Sequence, residues 1–290
     1  CAVEVGPDHP VFQNQNGALI NLKERKLVFY PYEKKEKIVH VPEGIEIIAE
    51  ESFAGHNAIS EVILPDSLKV IEAKAFYSCR GLTRIHIPNQ VTRIGSSAFH
   101  SCSGLLSVTL PESLHLIDYS LFYACSSLED IRLPEKLRVI APCAFSGCGS
   151  LSVLLFPDEI VDIGDAAFEG CRSIETVRLP EKLENLGARA FGSCVMLDSV
   201  EINAGLKIIP SQAFARCENL NQVRIPEGIE EIQSEAFDCC ENLLTLVLPA
   251  SVAEIDPTAF HHCKNIMLFV YPGSYAMNYA KDTDMLYSEI

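Results

Sequence analysis

The sequence lacks long apolar runs and the common catalytic motifs. No apolar stretch approaches the roughly 18 residues that a membrane-spanning helix needs, so membrane insertion is not expected. The P-loop, the dinucleotide-binding G-x-G-x-x-G, H-E-x-x-H and G-x-S-x-G are all missing, as are calcium loops of the D-x-[DN]-x-[DN]-G kind. The sequence therefore predicts no enzyme, no catalytic residue and no cofactor.

Basic residues are in short supply. The chain has 23 Lys and Arg against 39 Asp and Glu, which gives a net charge of −16. Neutralising phosphates requires clustered Lys and Arg, so neither nucleic acid nor an anionic membrane is expected as a partner.

The sequence also begins without Met or a signal-peptide pattern, and we expect that its N-terminus was trimmed. Cys1 is then either the lipidated first residue of a mature bacterial lipoprotein or an internal residue. The second interpretation is favoured, because Val3 and Val5 resemble the end of an earlier repeat.

What the sequence has in abundance is one repeated unit. A Phe recurs every 23 residues, a Cys follows it by three, and a Pro column marks the start of most units. Such a fixed period predicts a solenoid in which one supersecondary unit is stacked many times. The Phe residues are Phe53, Phe76, Phe99, Phe122, Phe145, Phe168, Phe191, Phe214, Phe237 and Phe260.

Each unit reads as a short coil of the chain. The alternation Ile85-His86-Ile87 indicates a strand with the two Ile side chains on its inner face, and Pro88 ends that strand. A second extended piece follows, and then apolar residues at helical spacing, of which Phe76 and Cys79 are two, predict a brief helical turn. The predicted fold is an α/β repeat solenoid, a right-handed stack of 23-residue coils with a parallel strand in each and short helical turns opposite.

The repeats divide the chain into three parts. Ten coils fill residues 42–271, and residues 1–41 form a degenerate repeat that caps the N-terminal end, with a hairpin turn at Asn16-Gly17. Residues 272–290 form the C-terminal cap, in which Ser274 starts a short helix and Met285-Leu286-Tyr287 adds a strand. We number the coils from one (residues 42–64) to ten (residues 249–271).

Cysteine spacing argues against both zinc and disulfides. One thiol per coil, from Cys79 to Cys263, offers neither the close pairs of a zinc site nor good disulfide geometry. These residues are expected to be free, buried and without metal. Cys143 and Cys239 lie off this column and are the better candidates for reactive thiols, whereas His261-His262-Cys263 is expected to be a surface loop.

Acidic residues follow the Pro column in seven of ten units and should form a stripe along one edge. The stripe is either a surface for divalent cations or basic ligands, or a solvated rim that keeps the solenoid soluble; the rim is favoured. The residues are Glu43, Asp66, Glu112, Glu135, Asp158, Glu181 and Glu227.

The repeat P-x-x-L-x-x-I-x-x-x-A-F-x-x-C-x-x-L-x-x-I-x-I, as in Pro65 to Ile87, resembles the BspA-like, or treponemal-type, leucine-rich repeats. The resemblance covers residues 42–271. It implies a secreted or surface-attached protein of host-associated bacteria or some protists, and some members of the family bind host matrix proteins or other cells. The resemblance supplies no universal functional residue.

The outward-facing strand residues form what we call the strand face, which we expect to be concave and to bind ligands. They flank the inward residue of each strand, in pairs from Glu61 and Ile63 to Leu268 and Val270. Arg132, Arg178 and Arg224 are expected to form an electropositive centre. The candidate ligand-binding residues are Arg84, His86, Asp130, Arg132, Leu155, Arg178, Glu201 and Arg224; the alternative is that they are only the polar face of a sheet.

Two functions remain open at this stage. The first is a noncatalytic recognition module for a protein or peptide ligand, such as an adhesin that binds host or neighbouring-cell proteins. The second is a structural spacer that presents another domain of a longer surface protein. An enzyme is the least expected, because it would require a deep pocket with convergent titratable groups.

Overall fold

A computed structural model describes residues 5–6, 9–203 and 205–290, and shows a stack of coils built around two ladders of short strands. Cys1 and Val3, on which the two interpretations of the N-terminus depend, lie outside these residues. In both ladders most strands of neighbouring coils pair in parallel, and each ladder is divided into several sheets. The fold is therefore a parallel-strand solenoid, as predicted; its right-handed sense stays a prediction.

The first ladder carries the strand face. Its inner residues, such as Val62, Ile85 and Val108, are buried, and their neighbours on either side point outward. The strands are β4 (Ile38–His40), β6 (Glu61–Ile63), β8 (Arg84–His86), β10 (Ser107–Thr109), β12 (Asp130–Ile131), β15 (Thr176–Arg178), β17 (Ser199–Glu201), β19 (Gln222–Arg224), β21 (Thr245–Val247) and β23 (Met267–Val270).

The second ladder is formed by the extended piece that follows each Pro position. After the N-terminal β3, each of its strands has two residues, and the second of them is buried in nearly every coil. The strands are β3 (Lys26–Phe29), β5 (Ile47–Ile48), β7 (Val70–Ile71), β9 (Arg93–Ile94), β11 (Leu116–Ile117), β13 (Val139–Ile140), β14 (Asp162–Ile163), β16 (Asn185–Leu186), β18 (Ile208–Ile209), β20 (Glu231–Ile232) and β22 (Glu254–Ile255).

The ladder of Phe rings fills the core. Successive rings from Phe53 to Phe260 stack nearly parallel, with centroids 5.0 to 5.8 Å apart. At the N-terminal end Tyr30 continues this stack on Phe53 at 5.1 Å, and at the other end Tyr279 packs edge-on against Phe260. A single coil buries its Phe only against its neighbours, so the solenoid owes its stability to contacts between coils.

The predicted helical turns opposite the strand face are wrong. The segment around each Phe is a series of turns. In coils one to nine, the residues two before and two after the Phe have left-handed backbone angles, such as Lys74 (φ 54°) and Ser78 (φ 58°) in coil two; in coil ten only His262 does. Residues in this conformation cannot continue a right-handed helix. Their N–H groups, with that of Phe76, donate instead to carbonyls of the next coil at 2.7 to 3.0 Å.

The strand face departs from strict repetition in coils five and ten, and β19 and β21 also belong to different sheets. In coil five, residues 153–155 form no strand, so β12 and β15 belong to different sheets. In coils one to nine, Phe156 is the one aromatic residue in a column of Leu and Ile. Its ring packs edge-on against Phe168 and Phe191. We attribute the missing strand to this larger side chain.

The second departure is in coil ten. There the paired residues of β21 and β23 are 22 residues apart in the sequence rather than 23, so that Leu246 lies opposite Leu268. Leu268 and Val270, which were predicted to be exposed, are therefore buried, and Met267 and Phe269 take the outward positions. A shift of one residue moves every side chain of a strand to the other face of the sheet.

Both ends carry additional elements. At the N-terminus β1 (Phe12–Gln15) and β2 (Ala18–Asn21) form an antiparallel hairpin whose turn places Asn16 and Gly17 at positive φ, as an Asn-Gly turn requires. At the C-terminus Ser274 caps α1 (Tyr275–Asp282) by accepting a hydrogen bond from the Met277 N–H, and β24 (Leu286–Glu289) pairs with β23. No helix among the described residues is long and apolar enough to cross a membrane.

Candidate functional site

The eight candidate ligand-binding residues lie on the strand face, in coils two to eight. Arg84 and His86 are at the ends of β8, Asp130 begins β12 and Arg132 follows it. Leu155 lies in the irregular segment of coil five, and Arg178, Glu201 and Arg224 end β15, β17 and β19. All are exposed except Glu201, which is half-buried.

The arginines of the strand face are paired with carboxylates. Glu201 lies between Arg178 and Arg224, with N–O distances of 3.4 and 3.2 Å. Arg132 approaches Glu112 at 3.9 Å and Glu135 at 3.7 Å. These pairs give the face alternating charge in place of the expected electropositive centre. The arginine side chains are highly exposed and the carboxylates are at least 42% exposed, so each pair contributes at most about 1 kcal/mol and can exchange partners at low cost.

Three shallow grooves bring candidate residues together, and one of them, of about 330 Å³, lies along the edge of the strand face at Arg178, Glu201 and Arg224. Another, of about 550 Å³, runs across coils six to nine and is lined by Arg178, Glu201, Arg224 and Val247, among others. The third, of about 260 Å³, lies at coil five between Asp130, Arg132, Val153 and Leu155. Arg84 and His86 lie two coils before Asp130 and border none of these three grooves.

The most exposed large apolar side chain of the strand face is in coil five. Leu155 is 77% exposed and Val153 is 52% exposed, at positions where most coils carry polar or charged residues. Contiguous exposed apolar patches that are rimmed by polar residues mark interaction surfaces, and Val153 and Leu155 form a small patch of this kind. Coil five therefore adds an apolar anchor to an otherwise charged face.

The cysteine column has a structural role. Each ladder thiol donates to the carbonyl oxygen of the Phe in the preceding coil, at 2.9 to 3.3 Å. Burial raises the pKa of Cys125 and Cys194 to about 12, so these thiols stay protonated at neutral pH. The prediction that the ladder thiols are free is confirmed, and all are buried except the half-buried Cys263.

His56 takes the place of the ladder cysteine in coil one. Its Nε2 lies 2.8 Å from the carbonyl oxygen of Tyr30, the residue that extends the ring stack at the N-terminus. A carbonyl oxygen can only accept a hydrogen bond, so Nε2 carries the proton. The His56 ring is therefore held by a hydrogen bond that it donates to a carbonyl oxygen, as the ladder thiols are. Burial lowers the pKa of His56, so the neutral ring is favoured.

The two cysteines that were expected to be reactive are only partly accessible. Burial, together with Glu169 and Asp165, raises the pKa of the Cys143 thiol. Burial and a hydrogen bond to Asp238 raise the pKa of the Cys239 thiol. Reactivity depends on the thiolate, so both environments disfavour a nucleophilic role.

One cluster was missed by the sequence interpretation. Asp238, Cys239 and His262 bring a carboxylate oxygen, a thiol sulfur and an imidazole nitrogen within 4.8 Å of one another. The available signal was the spacing, because Cys239 and His262 are 23 residues apart and so occupy the same position in adjacent coils. The contiguous His261-His262-Cys263 is not the set that converges.

The acidic stripe makes backbone contacts along the stack. Glu227 accepts hydrogen bonds from the backbone N–H groups of Ala250 and Ser251, and Glu112 accepts one from that of Glu135. Carboxylates in these positions help to join neighbouring coils at the edge where the chain turns.

The chain was compared with known proteins. A family model described as BspA type leucine rich repeat region matches residues 26–152 and 139–267, with six copies of the repeat. No curated protein sequence matches the chain.

Solved structures show the same fold. A leucine-rich repeat protein from Bacteroides ovatus is 23% identical over 97% of this chain and 91% of its own, with a TM-score of 0.65. A leucine-rich repeat protein from Eubacterium ventriosum is 17% identical over 82% of this chain and 88% of its own, with a TM-score of 0.50. The pneumococcal vaccine antigen PcpA is 15% identical over 88% of this chain and 68% of its own, also with a TM-score of 0.50.

Proposed function

Since the chain belongs to the family of BspA type leucine-rich repeat proteins, we propose that it is a noncatalytic recognition module that binds an extended protein segment across its strand face. The observation that carries the proposal is the groove over coils six to nine, with the exposed Leu155 next to it. A secreted or cell-surface location, and a role as an adhesin for host or neighbouring-cell proteins, form part of the proposal. The similarity to a pneumococcal vaccine antigen supports them.

The geometry suits a ligand that crosses the coils. Parallel strands lie about 4.8 Å apart, so Arg178, Glu201 and Arg224 present charges of alternating sign at about that spacing. A ligand with acidic and basic side chains can replace the existing Arg–Glu pairs without leaving a charge unpaired. Leu155 would supply apolar contact at one end of this row and Val247 at the other.

The first test reverses charge on the strand face. Purified chain is screened against immobilised matrix proteins and peptide arrays, and any ligand found is measured with the double variant Arg178→Glu, Arg224→Glu. The matched control is Arg93→Glu, Arg138→Glu, which makes the same charge change at exposed positions of the second ladder. We expect affinity to fall at least about tenfold in the first variant and to stay within about twofold in the control.

The second test removes the apolar anchor. Leu155→Asp is compared with Leu116→Asp, which changes another exposed Leu on β11 of the second ladder. Only the former should weaken binding, by a faster dissociation rate. Equal binding by all strand-face variants, together with a loss on replacing Glu112, Glu135 and Asp158 by Lys, would move the site to the acidic stripe and refute the proposal.

A further inference from the structure

The turn position two residues after each ladder Phe changes character near the C-terminal end. In coils one to seven this position holds Gly, Ser or Ala, and in coils eight to ten it holds Arg216, Cys239 and His262. The backbone there has a left-handed conformation, with φ of 57° at Cys239 and 59° at His262. Small residues suit that conformation best, so the larger Cys and His are not explained by the needs of the backbone.

The two side chains meet a buried carboxylate. Asp238 precedes Cys239, its side chain is only 14% exposed, and its Oδ1 lies 2.7 Å from Nδ1 of His262. The Cys239 thiol sulfur lies within 4.8 Å of a carboxylate oxygen of Asp238. A carboxylate, a thiol and an imidazole thus converge at one point between coils nine and ten.

The backbone fixes this arrangement. The Asp238 carbonyl accepts a hydrogen bond from the Arg216 N–H at 2.7 Å, and the Cys239 N–H donates to the His261 carbonyl at 2.9 Å. The Asp238–Cys239 turn is therefore tied to the coils on both sides, and the His262 turn to coil nine. A site held in this way loses little conformational freedom when it binds an ion.

We propose that Asp238, Cys239 and His262 form a zinc site. Sulfur, nitrogen and oxygen ligands together are the set that Zn²⁺ accepts, and three protein ligands leave a fourth tetrahedral position for water. On binding, the Cys239 thiol gives its proton to solvent, its sulfur bonds to the metal, and the hydrogen bonds to the Asp238 carboxylate are replaced by metal–ligand bonds.

The charges around the cluster partly offset one another. Arg216 places a positive charge near the Cys239 thiol, and Asp238 and Glu241 place negative charges near it. Glu241 also pairs with Lys264 at 3.3 Å. The bound ion would join coils nine and ten beside the C-terminal cap and would stabilise the folded chain by mass action.

The site is tested with Zn²⁺ and Co²⁺ on the full chain. Titration calorimetry should show one saturable Zn²⁺ site, and Co²⁺ should give the thiolate charge-transfer band and strong visible absorption of tetrahedral cobalt–sulfur coordination. Cys239→Ser should abolish the charge-transfer band, and His262→Ala should weaken Zn²⁺ binding at least about tenfold. The matched controls are His261→Ala and Cys143→Ser, which remove a neighbouring imidazole and the other half-buried thiol off the ladder.

Thermal unfolding with and without Zn²⁺ shows whether each variant is folded and whether the ion binds the native state. The midpoint should rise with Zn²⁺ in the unmodified chain and in both controls, but not in Cys239→Ser or His262→Ala. Absence of saturable Zn²⁺ binding by the unmodified chain overturns the proposal. So does binding that persists unchanged in the two site variants, because the metal would then lie elsewhere.

Discussion

From Phe53 to Phe237, the carbonyl oxygen of each ladder Phe accepts two hydrogen bonds at the centre of the molecule. That of Phe76 receives the N–H of Cys79 in its own coil and the thiol of Cys102 in the next. A thiol is a weak donor and a good apolar filler, so it satisfies the oxygen without placing a strongly polar group in the core. The repeated Cys is thus explained by packing and hydrogen bonding and requires no redox chemistry.

Ser52 is a residue whose replacement should stabilise the protein. It stands where most coils have Ala, it is buried, and its hydroxyl finds no partner within the part of the chain that the structure describes. We expect Ser52→Ala to raise the free energy of unfolding by about 1 to 2 kcal/mol, measured by urea denaturation. Ala75→Ser, the reverse change in the next coil, should lower it; a destabilised Ser52→Ala variant would contradict this account.

His56 should make stability depend on pH. Burial lowers its pKa from the ordinary value of 6.5, so the unfolded chain takes up a proton at a pH where the folded chain does not. The stability that the neutral ring contributes is complete above pH 6.5 and is lost as pH falls toward the lower folded pKa. Burial also lowers the pKa of His100. The contribution of His56 is therefore separated from that of His100 by comparison with a variant.

The variant is His56→Cys, which restores the ladder residue. Unfolding free energies at about pH 7.5 and pH 5.5 bracket the ordinary histidine pKa and stay above that of the carboxylates. The unmodified chain should lose more stability across this interval than the variant. Equal losses in the two proteins would show that His56 does not take part in the pH dependence.

At the scale of the element, the turn segments show where sequence periodicity reaches its limit. The spacing of Ala75, Phe76 and Cys79 fits one face of a helix, and they are indeed buried together. The sign of φ at Lys74 and Ser78 is not encoded in that apolar pattern. The Gly, Ser and Ala residues that recur at the second position were the only sequence signal for left-handed turns.

The adjacent Ser96 and Ser97 provide a direct test of these turns. Both are half-buried, but only Ser97 has positive φ, at 57°. Ser97→Gly should therefore stabilise the protein by up to about 1 kcal/mol, since Gly adopts this conformation without strain. Ser96→Gly should destabilise it by about 0.5 to 1 kcal/mol, because Gly makes the unfolded chain more flexible and relieves no strain in the folded one. Denaturant titration measures both; the same sign of effect in the two variants would refute the assignment.

The strand face was predicted from sequence more completely than the turns. Alternation around Ile85 fixes which side chains point outward, and the 23-residue spacing brings Arg178, Glu201 and Arg224 into neighbouring positions. The Arg–Glu pairing could be inferred from that register as well. The one-residue shift of register in coil ten could not be inferred from the sequence, because the Phe and Cys columns continue unchanged through Phe260 and Cys263.

At the scale of the whole molecule, each coil contacts mainly its neighbours, so whole coils should be removable. Deletion of residues 89–111 joins Pro88 to Glu112, which repeats the existing Pro111-Glu112 junction. We expect a folded chain whose unfolding free energy is lower by about 1 to 3 kcal/mol, in proportion to the residues lost. Deletion of residues 89–99 breaks the register and should prevent folding.

Cooperative thermal unfolding followed by circular dichroism, together with size-exclusion chromatography, distinguishes these outcomes. Failure of the 89–111 deletion to fold would show that the stack depends on long-range contacts between coils. Folding of the 89–99 deletion would show instead that the ladders tolerate a shift in register.

The 23-residue spacing also bears on the speed of folding. Contacts between neighbouring coils join residues about 23 positions apart in a chain of 290, a relative contact order near 0.08. Values of that size belong to helical bundles, which fold in microseconds to milliseconds, although this chain is held together by strands. Folding can begin at any pair of coils and spread by zippering in both directions, so the N-terminal coils can form during synthesis before the C-terminal ones exist.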